Sequence, residues 1–442
     1  MSNRDDEYYD REDRRQSRDN RYNDDYRGDR SARRSSSAGA ARGGASRSGA
    51  SRNGAPRSGA PRNGSSRPSG DRRPASRPSS GAKRSSGRKK KNNTKAIILL
   101  CVEILVACVL IYVAYTMFFK VGVTKVGKVN MDEQVISESI NEGVAENVQM
   151  EGYTNIALFG VDTRDESKDQ GAIKKNTRTD TIIIASINNA NGDIKLCSVY
   201  RDTYLNLSND TYTKCNAAYR EGGPEQDISM LNMNLDMDIK DFITIGFKGL
   251  TDVVDALGGV EIDVTDAEIP HLNNYQSTMA TELKLKYIPV ESAGRQTLNG
   301  LQATAYCRIR YTAGDDFKRA ERQRTVLMAC LEKAKGMSYS QLEDVANKAF
   351  GETYTSLDLE EILALLKNIT NYNVVDNNGF PEESMRKTGT IGKKGSCVIP
   401  SDLASNVKWL HQFLFDDMEY NVSCDVQKYS DKIKADTDPY LN

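Results

Sequence analysis

Apolar residues are unevenly distributed along this chain of 442 residues, and their pattern divides it into distinct parts. The longest apolar run spans residues 96–119 and contains one charged side chain, Glu103. A helix of this length is sufficient to span a bilayer with some tilt. Because residues 1–95 precede the run and no small-residue cleavage site follows it, we predict a single transmembrane helix rather than a signal peptide.

Beyond about residue 150, short apolar runs alternate with helical patterns. Two predicted strands, 181–187 and 194–200, flank Asn191-Gly192, a pair typical of a hairpin turn. Further strands are predicted at 155–161, 242–246 and 260–264, and helices at 247–257, about 316–335 and 358–369. Strands that alternate with helices, together with one hairpin, predict a mixed-sheet α/β/α sandwich.

Residues 1–95 lack any such pattern and are predicted to be disordered, because they offer nothing to bury that would offset the loss of chain entropy. They carry 26 basic and 11 acidic side chains, whereas the rest of the chain carries 35 and 50. An Arg/Gly/Ser tract of this kind is compatible with nucleic-acid binding. We favour a cytoplasmic tail that interacts weakly with anionic lipid or protein partners, and expect no nucleic acid.

Basic residues at 88–91 lie just before the apolar run, which places the N-terminus in the cytoplasm and everything after Lys120 outside. We therefore expect a single-pass protein of the cell membrane with an extracytoplasmic domain. The predicted parts are a disordered basic tail (1–95), a transmembrane helix (96–119), a juxtamembrane linker (120–150), the extracytoplasmic domain (151–425) and a C-terminal tail (426–442).

Several common kinds of active site are missing from the sequence. There are only two histidines, His271 and His411, and no G-x-S-x-G motif, which argues against Ser–His or Cys–His acyl transfer. No Walker loop, G-x-G-x-x-G motif or zinc-type cysteine spacing occurs either. Three cysteines in apolar runs, Cys197, Cys307 and Cys330, are predicted to be core residues. A disulfide between Cys397 and Cys424 stays open.

Arginine and aspartate recur instead at predicted strand ends and at the start of a helix. The set comprises Asp162, Arg178, Asp180, Arg201, Asp202, Arg308, Arg310, Asp316, Arg319, Arg322 and Gln323. Guanidinium groups bind phosphate oxygens in a bidentate manner, and paired carboxylates suit Mg²⁺. The set predicts a site for a polyanion and a divalent cation. The alternative interpretation is that these residues form ordinary surface salt bridges.

Six stretches that contain these residues resemble, in order and spacing, the LytR-CpsA-Psr family. They are NIALFGVDTR (155–164), RTDT (178–181), VYRDT (199–203), KCNAAY (214–219), LGGV (257–260) and YCRIRYTAGDDFKRAERQ (306–323). The resemblance implies a phosphotransferase that moves a glycopolymer from a polyprenyl-pyrophosphate carrier to peptidoglycan through a phosphodiester. It also implies an apolar pocket for the polyprenyl tail.

The resemblance also implies roles for single residues. Asp162 and Asp180 match the family's Mg²⁺ carboxylates. The catalytic and pyrophosphate-binding groups would be Arg178, Arg201, Asp202, Arg308, Arg310, Asp316, Arg319 and Gln323, and the further substrate-binding groups Lys214, Asn216 and Arg322. The general base stays open between Asp202, Asp316 and no dedicated base at all. Tyr200 stands where the family usually has proline, and Cys215 where it has an apolar residue.

Two other functions would use the same groups. A phosphatase would pass the phosphoryl group to water, and a non-catalytic receptor would bind anionic lipid or wall polymer without turnover. A transcriptional regulator is disfavoured because residues 1–95 show no helix-turn-helix pattern. The sequence does not indicate whether the polymer is teichoic acid, capsule or another wall polysaccharide.

Overall fold

The computed structural model describes residues 127–144, 146–162, 177–310, 312, 314–350 and 353–441. The predicted disordered tail and the predicted transmembrane helix lie outside these residues. Among the helices that the structure does describe, none combines the length and the hydrophobicity needed to cross a bilayer.

A seven-stranded mixed sheet forms the centre of the fold, in the order β1-β10-β7-β2-β3-β4-β11. Its strands are β1 (Gly127–Lys128), β2 (Tyr153–Val161), β3 (Thr179–Asn188), β4 (Asp193–Val199), β7 (Asp241–Gly246), β10 (Thr353–Thr355) and β11 (Asn373–Phe380). Strands β2, β3 and β4 pair antiparallel, whereas β2 pairs parallel to β7 and β4 parallel to β11. The prediction of a mixed sheet is confirmed.

Three two-stranded sheets stand outside the central one. They pair β5 (Tyr204–Asn206) with β6 (Tyr212–Lys214), β8 (Val260–Val264) with β9 (Gly294–Leu298), and β12 (Arg386–Thr390) with β13 (Ser396–Pro400). The helices are α1 (Glu133–Glu138), α2 (Val148–Glu151), α3 (Ala217–Leu235), α4 (Phe247–Ala256), α5 (Ile269–Glu282), α6 (Gly300–Tyr306), α7 (Asp315–Lys335), α8 (Tyr339–Phe350), α9 (Leu359–Lys367), α10 (Leu403–Phe415) and α11 (Cys424–Thr437).

The central sheet is buried on both faces. Successive side chains of a strand point to opposite sides, so one strand can contribute residues to both cores. On one face Phe159 and Ile184 pack in a core that also contains residues of α3, α10 and α11. On the other face Ile156, Ile183 and Leu196 pack against residues of α7 and α9. Helices therefore cover both faces of the sheet, as expected for an α/β/α sandwich.

Elements with a clear local signal are confirmed. The β3–β4 hairpin turns at Gly192, whose φ of 79° lies in the region that favours glycine. Helix α4 ends before Gly258 and Gly259, both with positive φ, as their position after the apolar stripe predicts. Helix α9 begins after Asp358, which forms a reciprocal capping box with Glu361.

The structure differs from the predicted boundaries at both ends of the domain. Residues 127–150 are not a linker: β1 pairs with β10, and Ile136 and Met150 are buried in the main core. Residues 426–442 are not a simple tail either, because α11 buries Val426 and Ile433 against α10. Both segments are short and rich in polar residues, and a small number of apolar positions, including these, pack them against the core.

The cysteines that the structure describes are all free thiols. Cys197 and Cys307 are buried as predicted, and Cys330 is half-buried. Cys397 is buried in β13 whereas Cys424 is exposed at the start of α11, so the structure does not form the disulfide considered between them.

We expect Ile184→Ala to lower the free energy of unfolding by about 2–5 kcal/mol, since Ile184 is fully buried at the centre of the sheet and its truncation leaves a cavity. Val375→Ala on β11, where the side chain is 51% exposed, should change it by less than about 0.5 kcal/mol. Denaturant unfolding of both variants measures the difference, and equal effects would contradict this assignment of the core.

Candidate active site

Most of the predicted site residues lie close together at one edge of the central sheet. Asp162 follows the last residue of β2, and Asp180 is the second residue of β3. Arg201 and Asp202 follow β4 after one intervening residue. Because β3 runs antiparallel to both β2 and β4, the end of β2, the start of β3 and the end of β4 lie at the same edge.

A β-bulge presents Asp180 at this edge. Gly160 pairs with Thr181 and Val161 pairs with Thr179, so Asp180 is the extra residue of β3. Such a bulge bends the strand and redirects a side chain. It requires glycine opposite, since a Cβ at Gly160 would lie 2.8 Å from the side chain of Thr181.

The Asp180 carboxylate is shared by three arginines. Its Oδ1 accepts a hydrogen bond from Arg201 Nη1 (2.7 Å), and its Oδ2 accepts one from Arg319 Nη2 (2.8 Å) and lies 3.9 Å from Arg310 Nη2. Burial alone would raise the pKa of Asp180, but Arg319, Arg201 and Arg310 hold it well below its ordinary value. Asp180 is therefore ionised at neutral pH.

Asp316, in the first turn of α7, faces the same three guanidinium groups. Its carboxylate lies 3.5 Å from Arg201, 3.6 Å from Arg310 and 3.7 Å from Arg319. Burial raises the pKa of Asp316 and the three arginines lower it, with a net shift below the ordinary value. Three guanidinium groups face these two carboxylates, and the third carboxylate near Arg201, that of Asp202, is paired with Lys214, so the group keeps one excess positive charge.

Several guanidinium donors in the site have no hydrogen-bond partner among the residues that the structure describes. They are Nε of Arg201, Nη1 of Arg308, and Nε and Nη1 of Arg319, all of them buried. Leaving a buried donor unpaired is costly, and such groups are rare in native proteins. Together with the excess positive charge, these donors fit an anion with several oxygen acceptors.

Two further pairs border the arginine cluster. Lys214, the last residue of β6, lies 3.3 Å from Asp202, which is also 3.9 Å from Arg201. On the other side Arg308 lies 4.0 Å from Asp162. The Arg308 guanidinium is held over the Phe247 ring at 4.5 Å and the Tyr275 ring at 5.2 Å, favourable cation–π contacts.

The remaining predicted residues are placed as follows. Gln323 lies on the same face of α7 as Asp316 and Arg319, and all three line one small cavity that is open to solvent. Asn216 is buried before α3, and its backbone N–H donates to the carbonyl of Arg201. Arg178 is half-buried just before β3.

Arg322, predicted to bind substrate, makes internal contacts instead. Its Nε donates to Glu268 at 2.7 Å, and its other nitrogens donate to the carbonyl of Ile309 and the hydroxyl of Thr312. Both charged side chains of the pair are at least nine-tenths buried. Arg322 thus ties α7 to the start of α5 rather than facing the arginine cluster.

Three residues near the cavity were not predicted. Tyr200 and Phe317 line it with their rings 4.7 Å apart, and the Arg386 guanidinium lies 4.0 Å over Phe317. The backbone N–H of Tyr200 donates to the carbonyl of Phe380, a bond that the family's usual proline would lack. The position of Arg386 beside Phe317 could not be predicted from the sequence, because Arg386 lies on β12 and reaches Phe317 only through tertiary packing.

Two carboxylates at adjacent strand ends, Asp162 and Asp180, fit a magnesium ion, which takes one or two protein carboxylates and completes its shell with water and phosphate oxygens. The described part of the chain contains no group of three or more His, Cys, Asp or Glu side chains suited to a metal. Magnesium does not need such a group. The oxygens of Asp180 each keep acceptor capacity beyond their arginine contacts.

Comparison with known proteins agrees with this fold. The sequence profile of the LytR_cpsA_psr family matches residues 113–397, and the chain belongs to this family. The structure of the Streptococcus agalactiae protein gbs0355 superposes with a TM-score of 0.51 at 22% identity, covering 66% of this chain and 94% of that one. It shares the fold.

Two curated relatives come from Bacillus subtilis (strain 168). The polyisoprenyl-teichoic acid–peptidoglycan teichoic acid transferase TagV is 31% identical over 193 residues, 42% of this chain and 47% of the relative. The transferase of the same description named TagT is 27% identical over 223 residues, 50% and 66%. The match thus spans about half to two thirds of each relative's length.

We expect Arg322→Met to destabilise the fold by about 3–5 kcal/mol at neutral pH, because it leaves the buried carboxylate of Glu268 without its positively charged partner. The pKa of Glu268 is lowered: burial raises it, but hydrogen bonds from Thr265 and Arg322 outweigh that effect. The stabilisation by the pair is therefore present above the ordinary glutamate pKa and is lost as the pH falls through the folded value.

Denaturant titrations at neutral and acidic pH test this prediction, and the difference between variant and parent should shrink in acid. Lys318→Met is the matched control, since its ion pair with Glu321 on the same helix is half-exposed. A loss of stability that did not depend on pH would contradict the role given to the Arg322–Glu268 pair.

Proposed function

We propose that this chain is a membrane-anchored phosphotransferase that moves a glycopolymer from a polyprenyl-pyrophosphate carrier to peptidoglycan. The observation that carries the proposal is the group of buried guanidinium N–H donors on Arg201, Arg308 and Arg319 that make no hydrogen bond with the described residues. A pyrophosphate offers the bidentate oxygen acceptors that such donors require. The family membership and the relatives named as teichoic acid transferases support the same reaction.

In the proposed reaction, a hydroxyl oxygen of peptidoglycan attacks the phosphorus that carries the glycopolymer. The bond from this phosphorus to the bridging oxygen breaks, and polyprenyl phosphate leaves with the electron pair. The product is a phosphodiester between the two glycans. Arg201, Arg310 and Arg319 bind the pyrophosphate and stabilise the charge that develops on the leaving phosphate, which is an electrostatic form of catalysis.

Asp202 is the better candidate for the base that takes the hydroxyl proton. The pKa of Asp316 lies below its ordinary value because three arginines surround it, which makes it a poor proton acceptor. Asp202 contacts Lys214 at 3.3 Å and only the edge of Arg201 at 3.9 Å. Both carboxylates lie beside the same cavity, so position does not separate them.

Asp162 and Asp180 would hold Mg²⁺ in this proposal. When bound, the ion would supply a Lewis acid that neutralises charge on the phosphate oxygens. The proposed site for the lipid tail is the sheet face toward α7, where several aliphatic side chains are only partly buried. They include Leu158, Ile243, Leu327, Met328 and Leu331.

The proposed location is the outer face of the cell membrane. It rests on the apolar run at 96–119 and the basic residues before it, which lie outside the described part of the chain. A lipid-linked donor is confined to the bilayer, so an anchored enzyme meets it without diffusing through the wall. The identity of the polymer, whether teichoic acid, capsule or another, is left to experiment.

We expect Arg201→Ala and Arg319→Ala each to slow transfer by at least about 100-fold, the scale of a lost electrostatic donor. Asp162→Ala and a chelator should each abolish transfer, and added Mg²⁺ should reverse the chelator alone. The assay follows a radiolabelled polyprenyl-pyrophosphate disaccharide with peptidoglycan oligomers as acceptor. Arg295→Ala is the control, because this arginine is 77% exposed and pairs with Glu261 on the surface.

Three outcomes separate the candidate functions. Label that moves to the glycan supports the transferase. Label released into water points to a phosphatase, and binding without turnover points to a receptor. Full transfer activity in folded Arg201→Ala and Arg319→Ala proteins would refute the proposed mechanism.

A further inference from the structure

A second concave surface lies at the C-terminal end of the domain, outside the arginine cluster. It is formed by α10, the segment that follows it, and Met385, and it holds about 920 Å³ of empty space open to solvent. The family profile ends at residue 397, so almost all of this cleft lies in a part of the chain that the family match does not cover. Its lining is mostly polar, although Trp409 and Tyr420 also pack against the main core.

The cleft contains the only tryptophan of the chain, Trp409. Its neighbour Leu410 is fully buried, whereas the indole is only half-buried. Trp409 stacks on Phe413, one turn later in α10, with the ring centroids 5.4 Å apart and an interplanar angle of 6°. Both rings also pack against the main core, and Trp409 is the one of the pair that lines the cleft, so part of the indole borders the open space.

Polar side chains of several kinds surround this aromatic surface. Gln412 and Asn421 provide exposed amides that can both donate and accept. Asp417 and Glu419 provide carboxylate acceptors, and Lys408 is the only lysine or arginine among the described residues of the lining. Two carboxylates and one lysine give the lining a net negative charge, which is unfavourable for a phosphate-rich polymer.

We propose that this cleft binds a neutral glycan built from N-acetylated sugars. An aromatic ring packs against the apolar face of a pyranose, while amides and carboxylates form hydrogen bonds with its hydroxyl and acetamido groups. The open shape suits a segment within a longer chain. If the proposed function holds, on which this step rests, the glycan is the N-acetylated sugar backbone of the peptidoglycan acceptor, because the donor is bound through its pyrophosphate at the arginine cluster.

The cleft is also connected to the candidate active site. Met385 lines the cleft, and the next residue, Arg386, places its guanidinium 4.0 Å over the ring of Phe317. Phe317 in turn lines the cavity that contains Asp180 and Arg319. A glycan bound in the cleft would then contact the segment that also contacts the lining of this cavity, which would raise the effective concentration of the acceptor.

Trp409 itself reports on occupancy, since it is the sole tryptophan of the full chain. We would titrate the full-length protein in detergent with a β-1,4-linked tetramer of N-acetylglucosamine and follow indole fluorescence under excitation selective for tryptophan. A saturable change is expected. In the Gln412→Ala/Asn421→Ala double variant, which keeps the indole, the apparent affinity should fall by about tenfold, the value of one to two hydrogen bonds.

Two further arms identify the ligand and separate this proposal from the proposed reaction. Poly(glycerol phosphate) should cause no saturable change, and tighter binding of this anion than of the tetramer would overturn the proposal. Arg201→Ala should bind the tetramer normally even though its transfer is slowed at least about 100-fold. In the transfer assay, the double variant should raise the acceptor KM and leave the donor KM and kcat unchanged.

An unchanged fluorescence signal, or an equal affinity in the double variant, would refute the cleft as a glycan site. Neither result would bear on the transferase reaction, which the labelled-donor assay measures independently. Conversely, tetramer binding in a protein that shows no transfer would support the cleft and refute the proposed function alone.

Discussion

The candidate site depends on one electrostatic arrangement, the sharing of the Asp180 carboxylate by Arg201, Arg310 and Arg319. Without the carboxylate, three guanidinium groups would be driven apart by like-charge repulsion. With it, they are held together by ion pairs. Some of their N–H donors make no hydrogen bond within the described part of the chain, and the three arginines carry one more charge than Asp180 and Asp316 supply. Residues from β3, β4 and α7 must therefore stay in register for the site to exist.

The fold builds this arrangement because it brings segments that are distant in the sequence to one edge of the sheet. The bulge sets Asp180, the antiparallel pairing with β4 sets Arg201, and the first turns of α7 set Asp316 and Arg319. A second buried pair, Arg322 with Glu268, fixes the same helix one turn further along. Helix α7 thus carries Arg319, which faces the proposed anion site, and three residues later Arg322, whose buried ion pair stabilises the fold.

Features that depend on local pattern could be predicted from the sequence. The β3–β4 hairpin, α4 and α9 have turn residues, apolar stripes and caps in the expected places, and the Arg and Asp positions of the family motifs converge as expected. Local pattern could not separate Arg322 from Arg319, because the partner of Arg322 lies 54 residues away. Nor could it reveal that the segments 127–150 and 426–441 are folded. Their few apolar residues show no local pattern, and they are buried only because the core of the domain lies against them.

The bulge at Asp180 has a consequence for how this architecture can diverge. Deleting a single residue at the start of β3 would remove the bulge and restore regular pairing with β2, while the rest of the strand keeps its register. It would also turn the carboxylate out of the cluster, since side chains alternate along a strand. A descendant could thus lose its chemistry in one step and still fold, persisting as a scaffold protein on which a different binding role could be built.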